Sequence, residues 1–153
     1  MERTVQVVID PTQIQTIDLI YISHSHTDHF DPYTLMEIYR HAQPILLLPF
    51  TLAYLIPLLR EYLGDITIEI LTPKKPYLFQ GIEITGYMFP QSDITNEDDV
   101  MMIAIASDRE LLFAEIDTVP DEYDTDIAHE LFRIFDRREY QTRCYLASRN
   151  ELE

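Results

Sequence analysis

Ile17-Asp18-Leu19-Ile20-Tyr21-Ile22-Ser23-His24-Ser25-His26-Thr27-Asp28-His29-Phe30-Asp31-Pro32 is the stretch on which the reading of this chain turns. After Asp18 the run to Ile22 is continuously apolar, as in a strand buried on both faces. Residues 23–30 are polar and read as a loop. Asp31-Pro32 reads as an N-cap followed by proline at the first helical position. A buried strand thus delivers a polar loop, and a capped helix takes the chain away.

Three of the five histidines of the chain fall within six residues of this loop. His24 and His26 are two apart, so in extended backbone their imidazoles point the same way and can converge on one cation. Asp28 and His29 are adjacent, project differently, and can reach a second cation nearby. Neutral imidazole with carboxylate suits Zn, Fe or Mn. A loop at the C-terminal end of a strand is a favoured place for such a site. The plain alternative is a polar surface loop that carries histidines by chance, which the register and the preceding apolar strand disfavour.

Outward from the loop, residues 4–9 alternate and are β-branched, so they read as a strand ended by Asp10-Pro11. Leu35, Ile38, Tyr39 and Ala42 recur at helical spacing, and Pro44 follows the end of that helix. A short strand is expected at 45–48 and a second helix at 50–63, closed by Gly64, with Pro57 forcing a kink or a late start. Strands are expected at 66–71, 77–79, 82–89, 100–106 and 111–115. Their turns are Lys74-Lys75-Pro76, Gln80-Gly81 and Ser107-Asp108-Arg109. A third helix at 126–137 and a last strand at 140–147 complete a layered α/β or α+β order.

The chain has 153 residues, 46% of them hydrophobic and 17 of them Phe or Tyr, which predicts one domain with a sizeable core. Lys and Arg number 11 against 27 Asp and Glu, a net charge of −16. That disfavours electrostatic binding to nucleic acid or to an anionic membrane, though a bound cation can reverse a local field. No apolar run is long enough for a membrane span. The single Cys144 forms no intrachain disulfide and builds no Cys-rich metal module. With no secretory signal at the N-terminus, the cytoplasm is the expected compartment.

The pattern H-x-H-x-D-H, His24 to His29, resembles the motif of the metallo-β-lactamase superfamily. Residues 17–35 are similar to the branch containing CMP-N-acetylneuraminate hydroxylase and the L-ascorbate-6-phosphate lactonases. Val7 to Pro11, VVIDP, resembles the strand preceding the motif there. Arg109 to Thr118, RELLFAEIDT, resembles the later strand ending in G-D-T, whose Asp bridges two metals. The resemblance implies an αβ/βα sandwich with His24 and His26 on one metal, Asp28 and His29 on the other, and Asp117 between them. Asp28 is also the catalytic candidate. It implies one or two ions, zinc foremost with iron or manganese as alternatives.

The departures are specific. The loop 90–99 holds no histidine where the family places one; Asp93 is a substitute oxygen ligand there, against the plain reading of a solvated acidic loop. The family's last histidine has no counterpart. His129 reads as a surface residue and His41 as a favourable charge at a helix C-terminus. The resemblance therefore implies a second half that is incomplete. Three functions compete: a metal-dependent hydrolase acting on a small molecule through metal-bound hydroxide, a degenerate metal-binding or interaction domain, and the metal-binding part of a sialic-acid-hydroxylase-like oxygenase. A trimmed sandwich exposes apolar surface, so a homodimer or heteromer is expected, with the 140–147 strand and the 50–63 helix as contributors.

Overall fold

The computed structural model describes residues 15–27, 29–88, 100–114, 129, 133, 134, 136 and 140–146. The 4–9 strand, Asp28, Asp93 with its loop, Asp117 and most of the 126–137 helix lie outside the described residues.

The histidine loop grows out of a small parallel sheet. Its strands are β1 (Leu19–Tyr21), β2 (Ile45–Pro49) and β3 (Ile68–Leu71), in that spatial order. β1 pairs with β2 from Leu19↔Ile45 to Tyr21↔Leu47, and β2 with β3 from Leu46↔Ile68 to Pro49↔Leu71. Parallel neighbours need crossovers, and the chain supplies helices for both. The first is α1 (Pro32–His41), with Pro32 in its first turn. The Asp31 carboxylate accepts from the backbone N–H of Tyr33 and of Thr34, each at 3.1 Å. These bonds satisfy N–H groups that no helical carbonyl can reach.

The second crossover is not one helix. A 3-10 helix spans Phe50–Leu55 and α2 spans Ile56–Leu63. Pro57 falls in the first turn of α2, where its missing N–H costs no helical bond; inside a continuous 50–63 helix it would have kinked or broken it. Of the kink and the late start that Pro57 allowed, the structure has the late start.

β2 decides the layering. Leu46, Leu47 and Leu48 are all fully buried, yet they face two different cores. Leu46 and Leu48 join Ile22, Leu35, Tyr39, Leu52 and Leu59 on the helix side. Leu47 joins Leu71, Ile84, Met101 and Ile103 on the other side. Alternation along a strand sends successive side chains to opposite faces, so an uninterrupted apolar run marks a sheet covered on both.

The second sheet has the order β4 (Tyr77–Phe79), β5 (Ile82–Met88), β6 (Met101–Ala106), β7 (Glu110–Ala114), β8 (Thr142–Leu146). The first four form an antiparallel meander, and β8 runs parallel to β7. Gln80 and Gly81 make the two-residue loop between β4 and β5, both at positive φ (48° and 83°). That is the turn whose twist matches a hairpin, and glycine adopts it without a Cβ penalty. β6 is sandwiched like β2: Met101 and Ile103 face the first sheet, while Met102 and Ala104 face outward with Tyr87, Leu111 and Phe113. Ile134, in a helical stretch, and Tyr140 pack on that outer cluster. Helix, sheet, sheet and helix are therefore stacked in the order that defines an αβ/βα sandwich.

Two contacts stitch the sheets together. The Tyr21 hydroxyl donates to the Met101 carbonyl, and the Lys74 N–H donates to the Gly86 carbonyl at 2.9 Å beside a Pro73–Gly86 bridge.

Candidate metal centre

The loop begins where sheet pairing ends. The Ile22 N–H still donates to the Leu47 carbonyl at 3.2 Å, one residue past β1. Ser23 and His24 follow, each only 4% exposed. The Ser23 hydroxyl lies 2.9 Å from Nδ1 of His24. This contact holds the imidazole by one nitrogen and sets the direction of the other. Metal-ligating histidines are commonly fixed in this way, through the ring nitrogen not on the metal.

Beyond His24 the chain turns sharply. The His26 carbonyl accepts from the His29 N–H at 3.0 Å and from the Phe30 N–H at 2.7 Å. The turn carries His29 back against His24. Their ring centroids are 4.3 Å apart with planes tilted by 38°. His26 also meets His24, with centroids 4.6 Å apart and planes at 80°. The approach of His26 goes with its two-residue spacing from His24. The closer His24–His29 approach depends on the turn. His24 is thus the middle of three gathered rings, with His26 exposed and His29 half-buried.

This donor set can be tested against a metal ion. Two imidazoles bound to one ion at about 2.0–2.1 Å hold their centroids about 5 Å apart. The observed 4.3 and 4.6 Å are close to that. Among the described residues, however, no group of three or more His, Cys, Asp or Glu is arranged to hold an ion. The three rings come together at one place, and the carboxylates of the expected set, Asp28 and Asp117, lie outside the described residues. Imidazole is a fitting metal donor in kind, and a site here would need ligands beyond these rings.

The other histidines stay apart from the site. His41 ends α1, where a cation suits the helix dipole, and its Nε2 lies 3.1 Å from Glu37. His129 is exposed and helical, as its reading as a surface residue required. Ser23 was not singled out in the sequence. The signal available was its place as a polar residue directly after the apolar run and before the first histidine.

No protein-family model and no curated protein matches the chain. Solved structures do. CmlA, a diiron β-hydroxylase from Streptomyces venezuelae, superposes with a TM-score of 0.52 at 17% identity, over 65% of this chain and 20% of that one. The metallo-β-lactamase fold protein YhfI from Bacillus subtilis gives 0.49 at 15% identity, over 69% and 44%. Rubredoxin oxygen:oxidoreductase from Desulfovibrio gigas gives 0.47 at 20%, over 71% and 25%. The chain thus spans about a fifth of the length of CmlA. The fold is a metallo-β-lactamase-like αβ/βα sandwich. No described helix is long and apolar enough to cross a membrane.

Proposed function

We propose that the chain is a metal-dependent hydrolase of this fold, with His24, His26 and His29 as nitrogen ligands and Asp28 and Asp117 as carboxylate ligands. The observation that carries the reading is the gathering of three imidazoles around the buried His24 at the end of β1. Asp117 enters through Ala114, the last described residue of β7. Ala114 packs in the layer between the sheets, as Tyr21 does. Ala114 precedes Asp117 by three residues, and Tyr21 precedes His24 by three.

When bound, such an ion supplies a Lewis acid and lowers the pKa of a coordinated water to about 7. The protein's own part is positional. β1 and Leu47 anchor the start of the loop, Ser23 fixes the His24 ring, and the His26 carbonyl closes the turn that returns His29. Small-molecule substrates with a carbonyl or phosphoryl group suit this chemistry. Zinc is the first candidate ion, with iron or manganese as alternatives.

A second reading, an oxygenase-type centre, is favoured by one observation: CmlA, which shares the fold, is a diiron β-hydroxylase. Elemental analysis of protein purified without a histidine tag, with hydrolysis of a lactone and phosphodiester panel, separates the two. Zinc with turnover supports the hydrolase. Two irons with oxygen-dependent chemistry supports the oxygenase. Neither metal nor turnover leaves the degenerate binding domain.

A further inference from the structure

The outer surface of α2 and of the 3-10 helix before it carries exposed apolar side chains, with Arg60 and Glu61 as the charged residues near its C-terminal end. The inner surface is taken by the core: Leu52 and Leu59 are buried there, with Leu55, Ile56 and Leu63 packed against the same cluster. Outward remain Tyr54 at 65% exposure, Leu58 at 43% and Tyr62 at 58%, four residues apart along the chain, with Phe50 at 46% before them. Tyr33, 81% exposed, lines with Leu58 and Tyr62 a groove of about 230 Å³ between α1 and α2. Residues 50–59 contain no Asp, Glu, Lys or Arg, in a chain of net charge −16.

We infer that this face is the contact between two copies of the chain, related by a two-fold axis. Area is the first argument. A fully exposed aromatic side chain offers about 150–250 Å². The exposed parts of Phe50, Tyr33, Tyr54 and Tyr62, with Leu58, come to on the order of 500 Å², most of the roughly 800 Å² each partner brings to a standard interface. Charge is the second. Two chains at −16 repel, so their contact must lie where neither carries charge, as along 50–59. A basic partner would seek acids that this stretch lacks. Shape is the third. In a two-fold contact each copy supplies both the hole and the residue that fills the other's hole. Tyr54 is exposed and not part of the groove's own wall, and it is the ring that fills the groove of the other copy.

Light scattering on the full chain tests this. The expected mass is twice 18.1 kDa. The dimer should tighten with salt, which screens the repulsion between copies. Leu58→Glu and Tyr54→Ser should each raise the dimer dissociation constant more than tenfold while leaving the circular dichroism unchanged. Tyr62→Glu serves as a further variant should one of these fold poorly. Leu146→Glu, on the exposed part of β8, should leave the dimer intact. A monomer at both low and high salt overturns the inference. So does a dimer that survives Leu58→Glu and Tyr62→Glu but is lost in Leu146→Glu, which would place the contact at the β8 edge.

Discussion

The hydroxyl of Tyr21 donates to the carbonyl of Met101 at 2.5 Å, joining the strand that carries the histidine loop to the first residue of β6, 80 positions later. Burial pushes the Tyr21 phenol well above its ordinary pKa, so it remains a donor at any working pH. Tyr21→Phe keeps the ring and removes the donor, leaving the carbonyl of the fully buried Met101 without this bond. The expected cost is about 1–3 kcal/mol. Urea unfolding should show a lower midpoint with an unchanged slope. An unchanged midpoint would mean the bond contributes nothing to joining the sheets.

Gly86 lies where β5 meets both its neighbour β6 and the first sheet. A Cβ there would stand 2.1 Å from the Met101 sulfur and 3.1 Å from Cδ2 of Leu71. Met101 is fully buried and has no open side to move into. Gly86→Ala should therefore destabilise by about 1–3 kcal/mol. Adding Met101→Ala should recover part of that loss. The test is a double-mutant cycle, in which strictly additive costs would rule out the proposed clash.

Tyr39 donates to the Pro44 carbonyl at 2.9 Å, and burial pushes its phenol up to about 12 from 10.0. The folded state therefore keeps a proton that the unfolded chain releases earlier. The stability from this group is fully present below pH 10.0 and is lost as pH rises through about 12. Denaturation midpoints should fall across that window, and Tyr39→Phe should flatten part of the fall. A Tyr39→Phe profile that superposes on the native one would refute the assignment.

At the surface of α1, Glu37 sits below the ordinary glutamate range because His41 and then Arg40 hydrogen-bond its carboxylate. The lowered pKa makes its contribution present above the ordinary glutamate value and lost as pH falls through the folded one. Carboxyl NMR titration should find Glu37 below the ordinary glutamate value. His41→Ala should bring it back up, and no change in that variant would remove His41 as the cause.

Metal content addresses the histidine cluster directly. Native protein should carry about one to two ions per chain, and the His24→Ala, His26→Ala double variant should carry clearly less. Ser23→Ala should weaken metal affinity by about 10–100-fold while sparing the fold, as expected for a residue that orients a ligand. Equal metal content in native and double-variant protein would exclude these rings as ligands.

The sequence by itself determined the local events: Asp31-Pro32 starting α1, the 77–82 hairpin around Gln80-Gly81, the buried run of β2, and the histidines at the end of β1. Each depends on residues within a few positions of one another, where capping, φ preference and periodicity act. It also pointed to a kink or a late start at Pro57, without showing which, or that a 3-10 helix fills the gap. Tertiary structure alone decided that Leu46 and Leu48 belong to one core and Leu47 to another. It alone set β8 parallel beside β7 and turned the outer face of α2 to solvent. Within the site it added Ser23 and folded His29 onto His24. These outcomes depend on which distant surface covers each face, as in the meeting of Tyr21 with Met101. Residue spacing along a chain carries no record of such a partner until the layers have packed.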